Sequence, residues 1–526
     1  MGHLPVYQST SQIIGDFRVS GWFFLLEARL RRFMARAMRS ITSILLVLGL
    51  ASAGAFGPVG PLTRSRPVLH ARPHAVAMSA ELELAMEPEP EEVATEDCSL
   101  ANPTLCEAEM PPWLRNMAEL QERGVGSVAL LAATAVSLTL ANVASTATWW
   151  LPFWSTPIGP PIGGHALSPR GWINEGLMAI FFFVVGLEIK QELRLGSLSS
   201  VKKALLPCIA ALGGMVTPMA VYLAVQMLPM MGGGSLAALT VPMATDIAFA
   251  MAIFGFFRSR MPASASVFLL TLATVDDLGA IFVLATCFAS HVYPGFLAAG
   301  AGVTAALAWM CRKKMTDMRL YTAGGAALWW CLLRSGISAD IAGVIAALCV
   351  STRAVVGLTD GTTEHLTERL ITRLSPLSTF FIMPAFALAN TAVPLGGLRA
   401  AAAGSAAATV APAVGIGLGL LIGKPLGIFG STWLAIKLGA AQMPEGMRNS
   451  HLGVVSVLGA IGFTMCLLLT EVSMPPLLQP IPKLAVLISS LVASVVAAGA
   501  MARMSPVEAA AATTADEAEA VAKKED

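Results

Sequence analysis

The chain has 526 residues, of which 55% are hydrophobic and 13% are charged, with a formal net charge of +1. Soluble domains carry about 25% charged residues, so this composition excludes an ordinary soluble protein and indicates one that spans a membrane. The balanced charge gives no support to a nucleic-acid-binding protein. The eight cysteines form no CxxC pair, which favours buried thiols over a zinc site, and we expect no cofactor.

Residues 1–80 have the features of a targeting presequence. From Met34 a basic start, a short apolar stretch and small residues follow one another as in a secretory signal, whereas residues 56–80 contain three arginines and no acid, as in a transit peptide. The junction ASAGAFGP resembles the bipartite plastid-targeting presequences of algae with secondary plastids. We therefore predict a plastid membrane. A plain signal peptide with a linker, and delivery to the plasma membrane or another endomembrane, are the alternatives.

Polar segments flank the predicted membrane domain on both sides. Residues 81–97 are acidic, contain no Lys or Arg and include two prolines, so they cannot bury enough apolar surface to fold. We assign residues 81–120 to a disordered acidic linker and residues 505–526 to a polar C-terminal tail. The transmembrane domain is then expected at 121–504.

Apolar runs alternate with short polar loops throughout that domain, which predicts an all-α polytopic membrane protein of about twelve transmembrane helices. The loops that follow even-numbered spans are rich in Lys and Arg, so by the positive-inside rule these loops and both termini lie on the cytoplasmic-equivalent side. The predicted spans cover residues 126–148, 172–194, 204–228, 237–257, 264–288, 294–311, 319–334, 337–352, 377–395, 410–436, 452–472 and 483–504.

Ionisable and polar residues interrupt four of these spans. A charged side chain at the centre of a membrane helix costs roughly 2.5–3.5 kcal/mol on insertion scales, so such residues are functional candidates by default. They are Glu175, Glu188 and Glu192 in the second span, Thr245 and Asp246 in the fourth, Asp276 and Asp277 in the fifth, and Lys424 in the tenth.

The adjacent aspartates Asp276 and Asp277 are the strongest candidates. Neighbouring residues point about 100° apart on a helix, so one carboxylate can face a water-filled cavity while the other meets a cation. The alternative role for Lys424 is that of a counter-charge for Asp276 and nothing more. The alternative role for Asp246 is that of a helix cap. Glu188 and Glu192 lie near a span end, where a solvated face is as good an interpretation as a sensor.

A buried carboxylate pair gains from binding either a proton or a small hard cation, since oxygen ligands suit both. Exchange follows when the two ligands exclude each other and the site faces one side at a time. A proton-coupled symporter of a small organic anion and an intramembrane aspartyl protease are the alternatives. The chain has no G-x-x-x-x-G-K-[ST] loop, so we expect an ion gradient rather than ATP to drive transport, and no enzyme activity.

Six motifs make the chain similar to a known family. WINEGLMAIFFFVVGLEIKQEL, ATDIAFA, VDDLGAI, MPAFALANTAVPL, GLLIGKPLGI and LGAIGFTM occur in the order and spacing of the NhaA-type sodium/proton antiporters, and the resemblance covers about residues 125–500. NhaA is a known example of an inverted-repeat transporter with broken helices. The resemblance therefore implies inverted repeats, broken and crossing fourth and eleventh helices, and electrogenic Na⁺(Li⁺)/H⁺ antiport by alternating access that regulates Na⁺ and pH.

The resemblance also implies roles for individual residues. Asp277 matches the main Na⁺/Li⁺ ligand and proton carrier, and Asp276 matches its partner, which in the family pairs with the lysine at the position of Lys424. Thr245 and Asp246 lie where the fourth helix unwinds, and there Asp246 would offset the positive N-termini of two half-helices.

Other positions match less closely. Glu188 and Glu192 correspond to a cytoplasmic pH-sensing funnel, whereas Glu175 replaces an aspartate of the family, which bears on proton access. The ninth span lacks closely spaced histidines, so the pH set-point does not carry over. Family members form homodimers through a β-hairpin after the first span, and the prolines of residues 156–164 argue against that hairpin here.

Overall fold

The structure is a computed structural model, and it describes residues 112–122, 124–158, 167–194, 196, 198, 201–228, 235–288, 293–352, 355–357, 363–396 and 406–505. The predicted presequence, the linker up to residue 111 and the tail from residue 506 lie outside these residues. The loop at 159–166, where the family's β-hairpin would lie, is outside them as well. The targeting and tail segments therefore stay predictions.

The described residues are almost entirely helical. Three of the longer helices each contain a π-helical turn, at Trp172–Leu177, Ser378–Ile382 and Gly419–Gly423. The helices are α1 (Pro112–Glu122), α2 (Val125–Asn142), α3 (Ala144–Ser155), α4 (Pro169–Arg194), α5 (Val201–Gln226), α6 (Ile247–Phe256), α7 (Ala263–Cys287), α8 (Pro294–Arg312), α9 (Met318–Ser335), α10 (Ile341–Leu348), α11 (Leu366–Asn390), α12 (Ala406–Leu418, continued by Lys424–Lys437), α13 (Asn449–Leu458), α14 (Phe463–Ser473) and α15 (Pro480–Ala502).

Eight of the described helices are long and apolar enough to cross a membrane, namely α2, α4, α5, α7, α8, α11, α12 and α15, and the bent pair of α13 and α14 adds a ninth. Helices suit this environment because every backbone polar group in lipid needs a partner within the segment. The predicted all-α membrane fold is thus confirmed, whereas the number of twelve spans and the inverted repeats stay predictions.

Two short features differ from what the sequence predicted. The strands β1 (Val355–Gly357) and β2 (Thr363–His365) form an antiparallel pair between α10 and α11. Helix α1 includes residues that were assigned to the disordered linker, so the folded part begins before residue 121. Its Leu114 is buried, and the side-chain amide of Gln121 donates a 2.9 Å hydrogen bond to the Ser375 hydroxyl.

Two interrupted helical segments meet in the middle of the fold. Residues 244–246 are extended between the 3₁₀ turn Val241–Met243 and α6, and residues 459–462 separate α13 from α14, whose axes differ by 42°. The backbone N–H of Asp246 donates to the carbonyl of Ile461 at 2.7 Å, so the two segments touch where both are unwound. Gly462 allows this contact, because a Cβ there would lie 2.9 Å from the Ala244 carbonyl oxygen.

A buried apolar cluster holds α10 against the helices around it. Leu187 of α4, Leu307 of α8, Leu328 of α9 and Leu370 of α11 pack with Ala347 of α10 in this cluster. In a membrane such contacts stabilise the fold by van der Waals packing, because lipid tails are as apolar as leucine. This packing fixes α4 relative to its neighbours, and α4 carries three of the predicted site residues.

Candidate functional site

The adjacent aspartates lie near the middle of α7, and each has only 1% of its surface exposed. The structure directs them to different surroundings. The Asp277 side chain lines a cavity of about 640 Å³, to which Asp276 does not contribute. The 100° separation of neighbouring helical side chains produces this division.

Asp276 is held by a buried ion pair. The Lys424 ammonium lies 2.6 Å from Asp276 Oδ2, is fully buried, and also donates to the carbonyl of Met243. The Thr245 hydroxyl lies 2.6 Å from the same Oδ2 and 2.8 Å from the Gly459 carbonyl oxygen, and its single hydrogen serves one of them at a time. Asp276 Oδ1 has no hydrogen-bond partner among the described residues.

Asp246 caps both helices that begin at the contact between residues 244–246 and 459–462, which we call the crossing. Its Oδ1 accepts from the backbone N–H of Phe249 in α6 at 3.0 Å. Its Oδ2 accepts from the backbone N–H and the hydroxyl of Thr464 in α14, at 3.0 and 2.5 Å. Each helix N-terminus carries about half a positive charge, so the two together offset one carboxylate.

Asp277 has no such compensation within the described part of the chain. Its Oδ1 is buried without a hydrogen-bond partner, and Lys424, the nearby cation, is bonded to Asp276. With all groups ionised, the three aspartates and Lys424 have a formal charge of −2, and the two helix ends reduce it to about −1. That remaining charge belongs to Asp277, which lines the cavity together with the capped Asp246.

The cavity extends from Asp277 to the C-terminal end of α4. Glu188 and Glu192 both line it, one helical turn apart, and the Thr271 hydroxyl lies 3.2 Å from Glu192 Oε1. Phe256, the last residue of α6, also lines this end. The basic residues that follow α6 mark it as the side predicted to be cytoplasmic-equivalent. Among the described residues that line the cavity there is no Lys, Arg or His.

Glu175 does not join the other predicted site residues. It belongs to the π-helical turn of α4 and is absent from the cavity wall. Its Oε2 accepts from the backbone N–H of Ala339 at 3.2 Å, and its carbonyl accepts from the Trp329 indole at 2.6 Å. The structure therefore places Glu175 beside the start of α10, apart from the ion-binding candidates.

Three further buried polar residues, Thr464, Asp340 and Lys483, are not among the candidates that the sequence predicts. Thr464 lies inside the motif LGAIGFTM, but only the crossing shows that it binds Asp246. Asp340 and Lys483 are each buried, and each is a single charge in an apolar run. That signal was available, since intramembrane charges are functional candidates by default.

Comparison with known proteins supports one family. Residues 118–501 match the family described as Na⁺/H⁺ antiporter 1. The Na⁺/H⁺ antiporter NhaA of Pasteurella multocida is 40% identical over 354 residues, covering 66% of this chain and 89% of the relative. Its counterparts in Vibrio parahaemolyticus and Shewanella baltica are 36% and 37% identical, covering 70% and 72% of this chain and 92% and 94% of the relatives. The chain belongs to the Na⁺/H⁺ antiporter 1 family.

Proposed function

We propose that this protein exchanges Na⁺ for H⁺ across its membrane and that Asp277 couples the two ions. The observation that carries the proposal is the uncompensated carboxylate of Asp277 on the cavity. Asp246 is balanced by two helix N-termini and Asp276 by Lys424, so a bound cation is what the site lacks. A proton or Na⁺ supplies the same single positive charge.

Coupling follows from the cost of moving an uncompensated charge. An ionised, empty Asp277 is costly in the low-dielectric interior, whereas the carboxylate with H⁺ or with Na⁺ is neutral. Only the two neutral forms pass readily between the two faces. The crossing of residues 244–246 and 459–462 interrupts the helical hydrogen bonds of both segments inside the fold, so we assign the movement to it.

Asp276 joins the site when Lys424 releases it. Its Oδ2 is shared by Lys424 and Thr245, while its Oδ1 is left without a partner in the described structure. Release of Lys424 would make both carboxylates available as ligands for Na⁺ or Li⁺. The same change gives a second group that exchanges protons, which is how more than one H⁺ per Na⁺, and hence electrogenic transport, would arise.

The alternatives fit this site less well. An organic anion needs a cationic clamp, but the described part of the cavity wall carries four acidic residues and no basic one, the acids being Glu188, Glu192, Asp246 and Asp277. A protease needs two free aspartates that face each other, whereas both oxygens of Asp246 cap helices. The relatives are antiporters by name, which is consistent with a transporter rather than an enzyme.

The protein is a multi-pass integral membrane protein, and we propose that the presequence directs it to a plastid membrane. Regulation of Na⁺ and pH there is the physiological role we assign. Glu188 and Glu192 would hold protons and cations near the cavity entrance. The residues that would decide on a homodimer, 159–166, lie outside the described structure, so dimerisation stays a prediction.

The proposal is tested by transport in proteoliposomes with an acid interior and a pH-sensitive dye. Na⁺, Li⁺ and K⁺ are added in turn to the full-length protein and to Asp277→Asn. We expect Na⁺ and Li⁺ to collapse the pH gradient with the wild-type protein, and the variant to lose at least 100-fold of that rate. Asp317→Asn, at an exposed helix N-cap, is the matched control and should transport normally.

Two results would contradict the proposal. Retention of Na⁺-driven proton movement by Asp277→Asn would remove Asp277 from the coupling step. Absence of proton movement with any of the cations, from wild-type protein with an intact helical circular dichroism spectrum, would argue against antiport itself.

A further inference from the structure

A second pair of carboxyl groups lies outside the cavity, one of them buried and the other, Glu175, partly exposed. Glu175 belongs to α4 and Asp340 immediately precedes α10, and neither lines the cavity of Asp277. Asp340 has only 2% of its surface exposed. Glu175 precedes Glu188 by thirteen residues, which is about 20 Å along a helix, so the pair lies away from the end of the cavity marked by Glu192.

The hydrogen bonds of the two carboxyl groups differ. Glu175 Oε2 accepts from the backbone N–H of Ala339 at 3.2 Å, at the start of α10, where a negative charge is stabilised. Asp340 Oδ2 accepts from the Ser338 hydroxyl at a long 3.3 Å. Asp340 Oδ1 is buried without a hydrogen-bond partner among the described residues.

A negatively charged group lies beside Asp340. Ala339, the residue before Asp340, donates its backbone N–H to Glu175 Oε2, which places the Glu175 carboxylate beside Asp340. Arg334, on the adjacent helix α9, lies 5.1 Å from the centre of the Phe296 ring. Lys190, on α4, donates to the carbonyls of Leu348 and Val350 at the opposite end of α10.

The remaining titratable groups near α10 are accounted for in the same way. Tyr321 and Cys331 of α9 and Cys311 of α8 are neutral in their ordinary forms and supply no cation. On α7, which also contacts α10, Asp276 is bonded to Lys424 and Asp277 faces the cavity. Two ionised carboxylates side by side would therefore meet no opposite charge in the described structure.

We propose that Glu175 and Asp340 form a second proton-binding site, in which one proton is shared by the pair. The N–H of Ala339 favours the charge on Glu175, so the proton is held on Asp340, whose Oδ1–H donates to the Glu175 carboxylate. The orphaned Oδ1 is then the atom that carries the proton. A protonated carboxyl keeps a donor, which satisfies a buried oxygen that otherwise has none.

The site is connected to the transport cavity through α4. Helix α10 packs on α4 so closely that a Cβ at Gly343 would lie 1.9 Å from the Ala179 carbonyl oxygen. Loss of the shared proton would place two negative charges across this contact and force the start of α10 away from α4. Because α4 also carries Glu188 and Glu192, protonation of the pair would influence the shape of the cavity.

Infrared spectroscopy tests the proposal without requiring transport. A protonated carboxyl gives a C=O band that an ionised carboxylate lacks, and the band is followed while the pH of full-length protein in D₂O is raised. The spectra are recorded in an Asp277→Asn background, so that the cavity carboxylate does not contribute. We expect one such band to be lost in Asp340→Asn, to disappear at lower pH than in the parent protein in Glu175→Gln, where the neighbouring negative charge is gone, and to persist in Glu175→Asp, which keeps both carboxyl groups.

Asp317→Asn, which alters an exposed carboxyl, serves as the control and should leave the band unchanged. A spectrum that is the same with and without Asp340 and Glu175 would overturn the proposal, because both groups would then be ionised and act only as helix caps. This outcome is distinct from failure of the proposed coupling at Asp277, which is measured by ion transport and not by this band.

Discussion

Two of the regions that bury charged residues in this protein differ in how those charges are compensated. At the crossing, three aspartates share one lysine and two helix N-termini, and Asp277 is left without a counter-charge. Near the opposite end of α14, the outer ion cluster consists of Arg170, Glu471 and Lys483. There Glu471 Oε2 accepts from the Lys483 ammonium, and Oε1 lies 3.9 Å from Arg170 Nη1.

In the outer ion cluster a single carboxylate, Glu471, meets two cations, so each of its oxygens has a cationic partner. Arg170 donates further to the carbonyl of Ala389 at 3.1 Å, and Lys483 is almost fully buried. The cluster joins α4, α14 and α15 and has no unpaired carboxylate oxygen at Glu471. The comparison teaches that burial of charge alone does not mark an ion site. The ion site is where the compensation is incomplete and a cavity reaches the uncompensated group.

Helix α14 connects the two regions. Its first turn carries Thr464, which binds Asp246, and its last turn carries Glu471, seven residues later and about 10 Å away. A movement of α14 at the crossing would therefore be transmitted to the outer ion cluster. We expect that cluster to hold α4, α14 and α15 together, so that its loss lowers the stability of the fold more than it weakens ion binding.

The largest effect on stability is expected at Lys424. Lys424→Met leaves Asp276 ionised and buried without its partner, which should lower the free energy of unfolding by about 3–5 kcal/mol. The double variant Asp276→Asn/Lys424→Met removes both charges and should recover most of this loss. Reversible unfolding in mixed micelles measures both values. An equal loss in the single and double variants would show that Lys424 acts by packing and not by charge.

A smaller loss of stability is expected for substitutions of Asp246, because they remove the caps of two helices together. Asp246→Ala should lower the free energy of unfolding by about 2–3 kcal/mol, since each cap contributes about 1 kcal/mol and two helix ends lose their negative charge. Asp246→Asn keeps an acceptor oxygen and should lose about half as much. Thermal unfolding of the two variants gives the comparison. Identical midpoints for Ala and wild type would mean that water replaces both caps.

The smallest effect is expected in the outer ion cluster. Glu471→Gln leaves the buried Lys483 without its anion and should cost about 1–3 kcal/mol, while Na⁺-dependent proton movement remains within about threefold of wild type. Arg170→Met is the matched control, because its ion pair is long and partly exposed and is expected to contribute less than about 1 kcal/mol. A Glu471→Gln protein that is stable but inactive would contradict the contrast between the two regions.

Much of the membrane architecture follows from the sequence because hydropathy and charge act locally. A run of apolar residues must be helical in lipid, whichever helices lie beside it. The aspartates, Thr245 and Lys424 were therefore recognisable as buried polar groups before any contact was known. The start of α1, by contrast, does not follow from the acidic N-terminal segment, since α1 is stabilised by contacts with α11 and α2 that the local sequence does not show.

Contacts between distant segments were decided by the tertiary structure alone. The sequence shows that Asp276 and Asp277 point in different directions, but only the packing of α7 against the unwound segment and α12 determines which one meets Lys424. The sequence shows Asp340 as a single charge in an apolar run but not the carboxyl group beside it, because Ala339 and Glu175 are separated by 164 residues. The local sequence thus determines which charged residues lie in apolar helices. The tertiary structure determines which of these charges have a partner, because the partners come from distant segments.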